Sequence, residues 1–93
     1  MQGLGFEILG RNFHSKFGEI DIIAKKTKIL HFIEVKATKT ATNSIYRITP
    51  AKMDKIIKTI NFYFLSTGLA SEYQIDAICI NGENLEFVEN ISM

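Results

Sequence analysis

Two short runs, Glu19-Ile20-Asp21-Ile22-Ile23-Ala24 and His31-Phe32-Ile33-Glu34-Val35-Lys36, decide how this chain is read. Both are rich in β-branched and aromatic residues, and both place acids inside stretches that are otherwise apolar on either face. Strands of this kind sit in the middle of a sheet, where a charge is costly without a partner. The strands Glu19 to Lys25 and Ile29 to Lys36 that contain them are joined only by the tight polar connection Lys26 to Lys28, so they form a hairpin. A two-residue loop of Thr27 and Lys28 pairs Lys26 with Ile29, and a four-residue loop pairs Lys25 with Leu30. Both put Ile23 opposite Phe32, Asp21 opposite Glu34 and Glu19 opposite Lys36. A slip of one residue would break the match.

Strand side chains alternate between faces. Glu19, Asp21 and Ile23 are therefore expected on one face of the second strand, and Leu30, Phe32, Glu34 and Lys36 on one face of the third. That shared face begins apolar and ends charged. Directly opposed residues have Cβ atoms about 4.5–5.5 Å apart. Two carboxylates held so close repel unless a cation lies between them or one is protonated. A hard divalent ion such as Mg²⁺ takes one or two carboxylates, keeps several waters and accepts phosphate oxygens. Lys36, two residues from Glu34, brings an ammonium to the same place. Metal and lysine together suit phosphodiester hydrolysis. A Glu-x-Lys in a strand is by itself more often a solvated face, and here the apolar flanks tip the balance toward function.

Outward from this hairpin, Phe6 to Phe13 reads as a first strand with Phe6, Ile8 and Gly10 on one face, and Ser15 to Gly18 as a turn. Beyond it, Ala37 to Thr49 reads as a polar loop. Thr49 then suits an N-cap and Pro50 the first helical position, where a missing N–H is harmless. Met53, Ile56, Ile57, Ile60 and Phe64 recur at helical spacing, and Gly68 suits the residue past the helix end. Tyr73 to Ile80 is a fourth strand. Asn81 to Asn84 holds the hairpin signal Asn-Gly, and Leu85 to Ile91 is a fifth strand. The order βββαββ, opening with an antiparallel meander, is that of an α/β chain with one flanking helix.

Bulk properties fit one small domain over residues 1–93. Hydrophobic residues make up 46% of the chain and aromatic ones 11%, too apolar for a disordered chain. No apolar run reaches the roughly 18–20 residues that span a bilayer, and the first residues do not read as a signal peptide. A cytoplasmic globular protein without membrane attachment is expected. With one cysteine, Cys79, no intrachain disulfide can form, and its apolar setting marks it as a buried small hydrophobe. The net charge is only +1, but all eleven Lys and Arg lie between Arg11 and Lys58 with four acids among them. That basic segment makes the chain a candidate polyanion binder, against the alternative of charges that mix once it folds.

Other charged residues carry two readings each. Arg11, His14 and Lys16 flank the first turn and either grip phosphates or form an exposed polar turn. Lys52, Lys55 and Lys58 recur every three residues beside the apolar helix stripe, where a solvated face is the commoner explanation. Lys52, just past the cap, is the favoured anion contact. Arg47 in the polar loop is either a duplex contact or a surface charge. Glu19 is a third metal-site acid or the ion-pair partner of Lys36. Asp76 is expected to support the fold through hydrogen bonds. His31 points away from the acid face and is expected to pack. Neither histidine has metal-ligand spacing, so zinc is not expected.

At these residues the chain resembles the YraN-like family, small bacterial proteins with a restriction-endonuclease-like fold. The resemblance runs through Gly5 to Phe13, Lys16 to Ala24, Phe32 to Lys36, the helix start Pro50 to Lys52, and Tyr73 to Asp76, nearly the whole chain. It implies a PD-(D/E)xK core in a mixed sheet, with Asp21 and Glu34 as metal ligands and Lys36 as catalytic lysine. Mg²⁺ or Mn²⁺ would be the cofactor. It also implies DNA as substrate, since related nucleases cut DNA, some at branched junctions. Members of the family usually begin with a helix that carries a further acid. Here only Met1 to Leu4 precede Gly5, so this first core helix is expected to be missing. Apolar surface exposed beside the sheet would then favour a homo-oligomer or poor solubility, and the loss of the helix favours the alternative of a nucleic-acid-binding module without catalysis.

Overall fold

The computed structural model describes residues 5–38 and 49–91. The elements run β1 (Glu7–Ser15), β2 (Gly18–Lys26), β3 (Ile29–Thr38), α1 (Pro50–Thr67), β4 (Glu72–Asn81) and β5 (Asn84–Val88). The five strands form one mixed sheet in the order β1-β2-β3-β4-β5. The pairs β1–β2, β2–β3 and β4–β5 are antiparallel, and β3–β4 is parallel. Parallel neighbours need a crossover, and α1 supplies it. The expected order βββαββ and the mixed sheet are therefore observed.

The β2–β3 hairpin turns on Thr27 and Lys28, so Lys26 faces Ile29 and Ile23 faces Phe32. Thr27 takes the left-handed conformation, with φ 59°, that a tight two-residue turn demands. The β4–β5 hairpin turns on Gly82 and Glu83 between the paired Asn81 and Asn84, with Gly82 at φ 61°. Helix α1 starts where its cap chemistry places it. Thr49 Oγ1 accepts from the Lys52 N–H at 3.2 Å. At the other end Gly68, at φ 72°, donates its N–H to the Phe64 carbonyl at 2.9 Å.

The sheet carries an apolar cluster on each face. Ile20, Ile23, Leu30, Phe32 and Ile75 pack under α1 against Ile56, Ile60 and Tyr63. The opposite face gathers Phe6, Ala24, Ile33 and Ile78, ringed by Ile8, Ile22, Val35, Ile80 and Phe87. Buried on that face too is Asp76. It accepts from His31 Nδ1 at 2.5 Å, from Gln74 Nε2 at 2.8 Å and from the Asn90 N–H at 2.8 Å. His31 and Asp76 thus have the packing and supporting roles expected of them.

Five expectations need correction. The fifth strand ends at Val88 instead of running to Ile91. The register of β1 on β2 shifts between Ile8 and Gly10, so Gly10 does not follow Phe6 and Ile8 onto one face; a side chain there would meet Ile23 on the helix side. Ile20 joins Ile23 in the helix-side cluster although the two are three residues apart, so strict alternation fails around Asp21. On α1 the buried line is Ile56, Thr59, Ile60 and Tyr63, while Ile57 stays exposed at the stripe's margin. One helix over a sheet buries a narrow stripe, narrower than its apolar residues span. Cys79 is partly exposed rather than buried.

Candidate functional site

The candidate site forms where β2 leaves β3. Backbone pairing between them stops at Ile22 and Ile33, one step short of Asp21 and Glu34. Asn12, across β1 from this point, has φ 51°, a left-handed residue inside a strand. Past the last pair, the Val35 N–H donates instead to Asp21 Oδ2 at 2.8 Å. The Asp21 side chain thus takes over the β3 amide as the strands diverge, which anchors its carboxylate beside Glu34.

Glu34 lies on the helix-side face, in the row with Leu30 and Phe32. Its side chain is only 9% exposed, and Oε2 lies 3.7 Å from Lys52 Nζ in the first turn of α1. The other oxygen, Oε1, is buried without a hydrogen-bond partner. Burial pushes the Glu34 carboxyl up from 4.5 to about 7, and the negative charge of Asp21 is the next contributor. Lys52 holds it down, and Glu19 adds a smaller upward push. The charge of Asp21 therefore reaches Glu34 across the point where the strands part.

Glu19 is the outermost acid, 3.6 Å from His14 Nδ1 across the β1–β2 hairpin. Lys36 is exposed, two residues beyond Glu34, and pairs in register with Cys79 of β4. Burial and the charge of Glu86 raise the Cys79 thiol, while Lys36 lowers it. Lys36, Cys79 and Glu86 thus make the next cross-strand row beyond Glu34 and Ala77. Among the described residues, no three or more His, Cys, Asp and Glu side chains gather as a ready metal cluster. The acids gathered here are the pair Asp21 and Glu34, with Glu19 farther out.

The expected polyanion contacts divide. Arg11, His14 and Lys16 lie on the exposed β1–β2 hairpin, and Lys16 Nζ sits 5.3 Å from the centre of the Phe17 ring. Lys52 is half-exposed and turns inward to Glu34, a contact that helical spacing does not reveal. Arg47 lies outside the described residues. A cavity of about 360 Å³, lined by Glu7, Leu9, Lys25, Lys28, Leu30, Leu69, Ala70 and Ser71, contains none of the three acids. No helix among the described residues is long and apolar enough to cross a membrane.

Comparison with known proteins places this arrangement in a family. The uncharacterised protein family UPF0102 matches residues 1–80. A UPF0102 protein of Campylobacter fetus is 59% identical over 88 residues, covering 95% of this chain and 79% of its own. One from Campylobacter jejuni subsp. jejuni strain 81-176 is 60% identical over the same coverage. One from Campylobacter concisus is 55% identical over 94 residues, covering all of this chain and 83% of its own. With a match over most of its length and such identities, the chain belongs to the uncharacterised protein family UPF0102, the YraN-like family.

Proposed function

We propose that this protein is a metal-dependent nuclease acting on DNA, with Asp21 and Glu34 as metal ligands and Lys36 as the catalytic lysine. The observation that supports it most is Glu34, a buried carboxyl beside a second acid, with one oxygen that no group among the described residues satisfies. A buried acceptor without a partner is costly and calls for an explanation, of which an ion is one.

The residues present fit a hard divalent cation. Two carboxylates and no nitrogen or sulfur donors suit Mg²⁺ or Mn²⁺, which keep several waters of their own. Such an ion would supply a Lewis acid for a phosphodiester oxygen and acidify a bound water. Asp21 is held in place through its bond to the Val35 N–H, and Glu34 by the packing around it. Glu19 extends the acidic rim and either completes the ligand set through water or orients the β1–β2 hairpin through His14. Lys36, exposed on the same face, has three N–H donors for a water or for a phosphate oxygen that gains charge.

The test is cleavage of linear duplex, flapped and four-way DNA with Mg²⁺ or Mn²⁺, beside Mn²⁺ calorimetry. Wild type is expected to release heat and to cut at least one substrate. Asp21→Ala should abolish both, and Lys36→Ala should abolish cutting while keeping the heat. Equal, negligible heats from wild type and Asp21→Ala would overturn the reading.

A second reading, a nucleic-acid-binding module without catalysis, draws on Lys52. Its ammonium already lies 3.7 Å from Glu34 and acts as an internal counter-cation. DNA binding that weakens steeply with salt, without cleavage under either metal, is its signature.

A further inference from the structure

The tip of the β1–β2 hairpin carries an aromatic ring that the core does not use. Phe17 sits in the turn between Ser15 and Gly18 and is 36% exposed. Its neighbours in that turn, Ser15, Lys16 and Gly18, are polar or glycine, and it belongs to neither apolar cluster of the sheet. Two ammonium groups lie over the ring, Lys16 Nζ at 5.3 Å and Lys58 Nζ at 5.7 Å from its centre.

The tip is held in place. Ser15 Oγ accepts the Phe17 N–H at 3.0 Å and is hydrogen-bonded to the buried Thr59 Oγ1 of α1 at 2.9 Å. Gly18 lies so near α1 that a side chain there would touch Thr59 and Lys55. The hairpin tip and the middle of α1 thus form one surface. Its basic groups are Lys16, Lys55 and Lys58, set against Asp54, which pairs with Lys58 at 3.1 Å. That pair joins two exposed side chains one helical turn apart, an interaction weak enough to yield to a phosphate. The surface also leads to the acids. Glu19 follows Gly18 directly, and Lys52, the partner of Glu34, lies six residues along α1 from Lys58, about 9 Å of helical rise.

An exposed ring between ammonium groups has the make-up of a single-strand contact. The lysines that lie over the ring are on flexible chains, and when they turn to the flanking phosphates they leave its π face to a base. A base already stacked in a duplex has no free face to offer, so such a contact favours unpaired nucleotides. We infer that Phe17, with Lys16 and Lys58, forms a stacking subsite for an unpaired base, and that it guides a single-stranded segment of nucleic acid toward Asp21 and Glu34. The inference rests on the reading of that acid pair as a nucleic-acid site.

The experiment measures binding of a fluorescent single-stranded oligonucleotide and of a blunt duplex of equal length, in chelator so that nothing is cut. Wild type should prefer the single strand. Phe17→Ala should weaken single-strand binding about tenfold and change duplex binding about twofold or less, with its melting temperature checking that the fold is kept. Phe17→Trp should retain affinity. The chain has no Trp, so the fluorescence of that variant reports on position 17 alone and should be quenched by the single strand but not by the duplex. Equal losses on both probes, no loss with Phe17→Ala, or no single-strand binding by wild type would overturn the subsite. Metal-dependent cleavage that ignores Phe17 would leave the nuclease reading standing and remove this one. Phe17-dependent binding with no cleavage under Mg²⁺ or Mn²⁺ would do the reverse.

Discussion

At the scale of single residues, ionised Glu34 works against the fold. Its carboxyl titrates near 7 in the folded protein against 4.5 ordinarily, through burial and then Asp21. The folded state therefore holds the Glu34 proton more tightly than the unfolded chain does. The fold is stablest with respect to this group below about pH 4.5, and it loses stability as pH rises from there through about 7. At a higher pH the cost is at most about 3 kcal/mol. Glu34→Gln is thus expected to be more stable than wild type at pH 8, with the gap closing below pH 5, as urea melts at the two pH values would measure. Mn²⁺ should reverse the order by stabilising wild type and leaving the variant unchanged, since an ion that binds only the folded state adds to stability. An order untouched by Mn²⁺ would count against the metal site. Lys52 supplies the opposing influence, so Lys52→Met should move the Glu34 titration upward, as ¹³C NMR of the carboxyl would report.

Among the elements, α1 couples fold to site through its first turn. Thr49 caps the helix by accepting the Lys52 N–H, and Lys52 reaches Glu34. Thr49→Ala removes the cap and is expected to cost about 1 kcal/mol, lowering the melting temperature by about 4–8 °C. Because the cap positions Lys52, the same change should also raise the Glu34 titration. A melting loss with Glu34 unmoved would separate the cap from the site. The hairpins are just as decisive for placement. Thr27 and Lys28 set the β2–β3 register on which the meeting of Asp21 and Glu34 depends. Lengthening that turn by one residue would slip the pairing and send one of the acids to the other face.

For the molecule as a whole, the far face of the sheet is tied together by one buried carboxylate. Asp76 bonds His31 on β3, Gln74 on its own strand and the Asn90 N–H after β5, beside an Ile91 N–H to Ile75 carbonyl bond at 2.7 Å. It therefore holds the chain beyond β5 to the sheet. Asp76→Ala leaves buried donors unpaired and is expected to cost about 3–5 kcal/mol, a large share of what a domain of this size has. A denaturant midpoint close to that of wild type would refute this role.

Much of this is legible in the sequence. The strand runs around Asp21 and Glu34, the tight turn at Thr27, the Thr49–Pro50 helix start and the Gly68 stop are local signals of periodicity, turn chemistry and capping. They were enough for βββαββ and for the convergence of two acids. Local rules could not foresee Ile20 turning to the helix side, Tyr63 and Thr59 displacing Ile57 from the helix core, or Cys79 staying partly open. Nor could they reveal that Lys52 bends inward to Glu34 or that Asp21 takes the Val35 amide. Those outcomes depend on where β2 parts from β3 and on how narrow a stripe one helix covers. Periodicity reports which way a side chain leaves its own backbone; which atoms it then meets is settled by elements distant in the chain, and only packing brings those together.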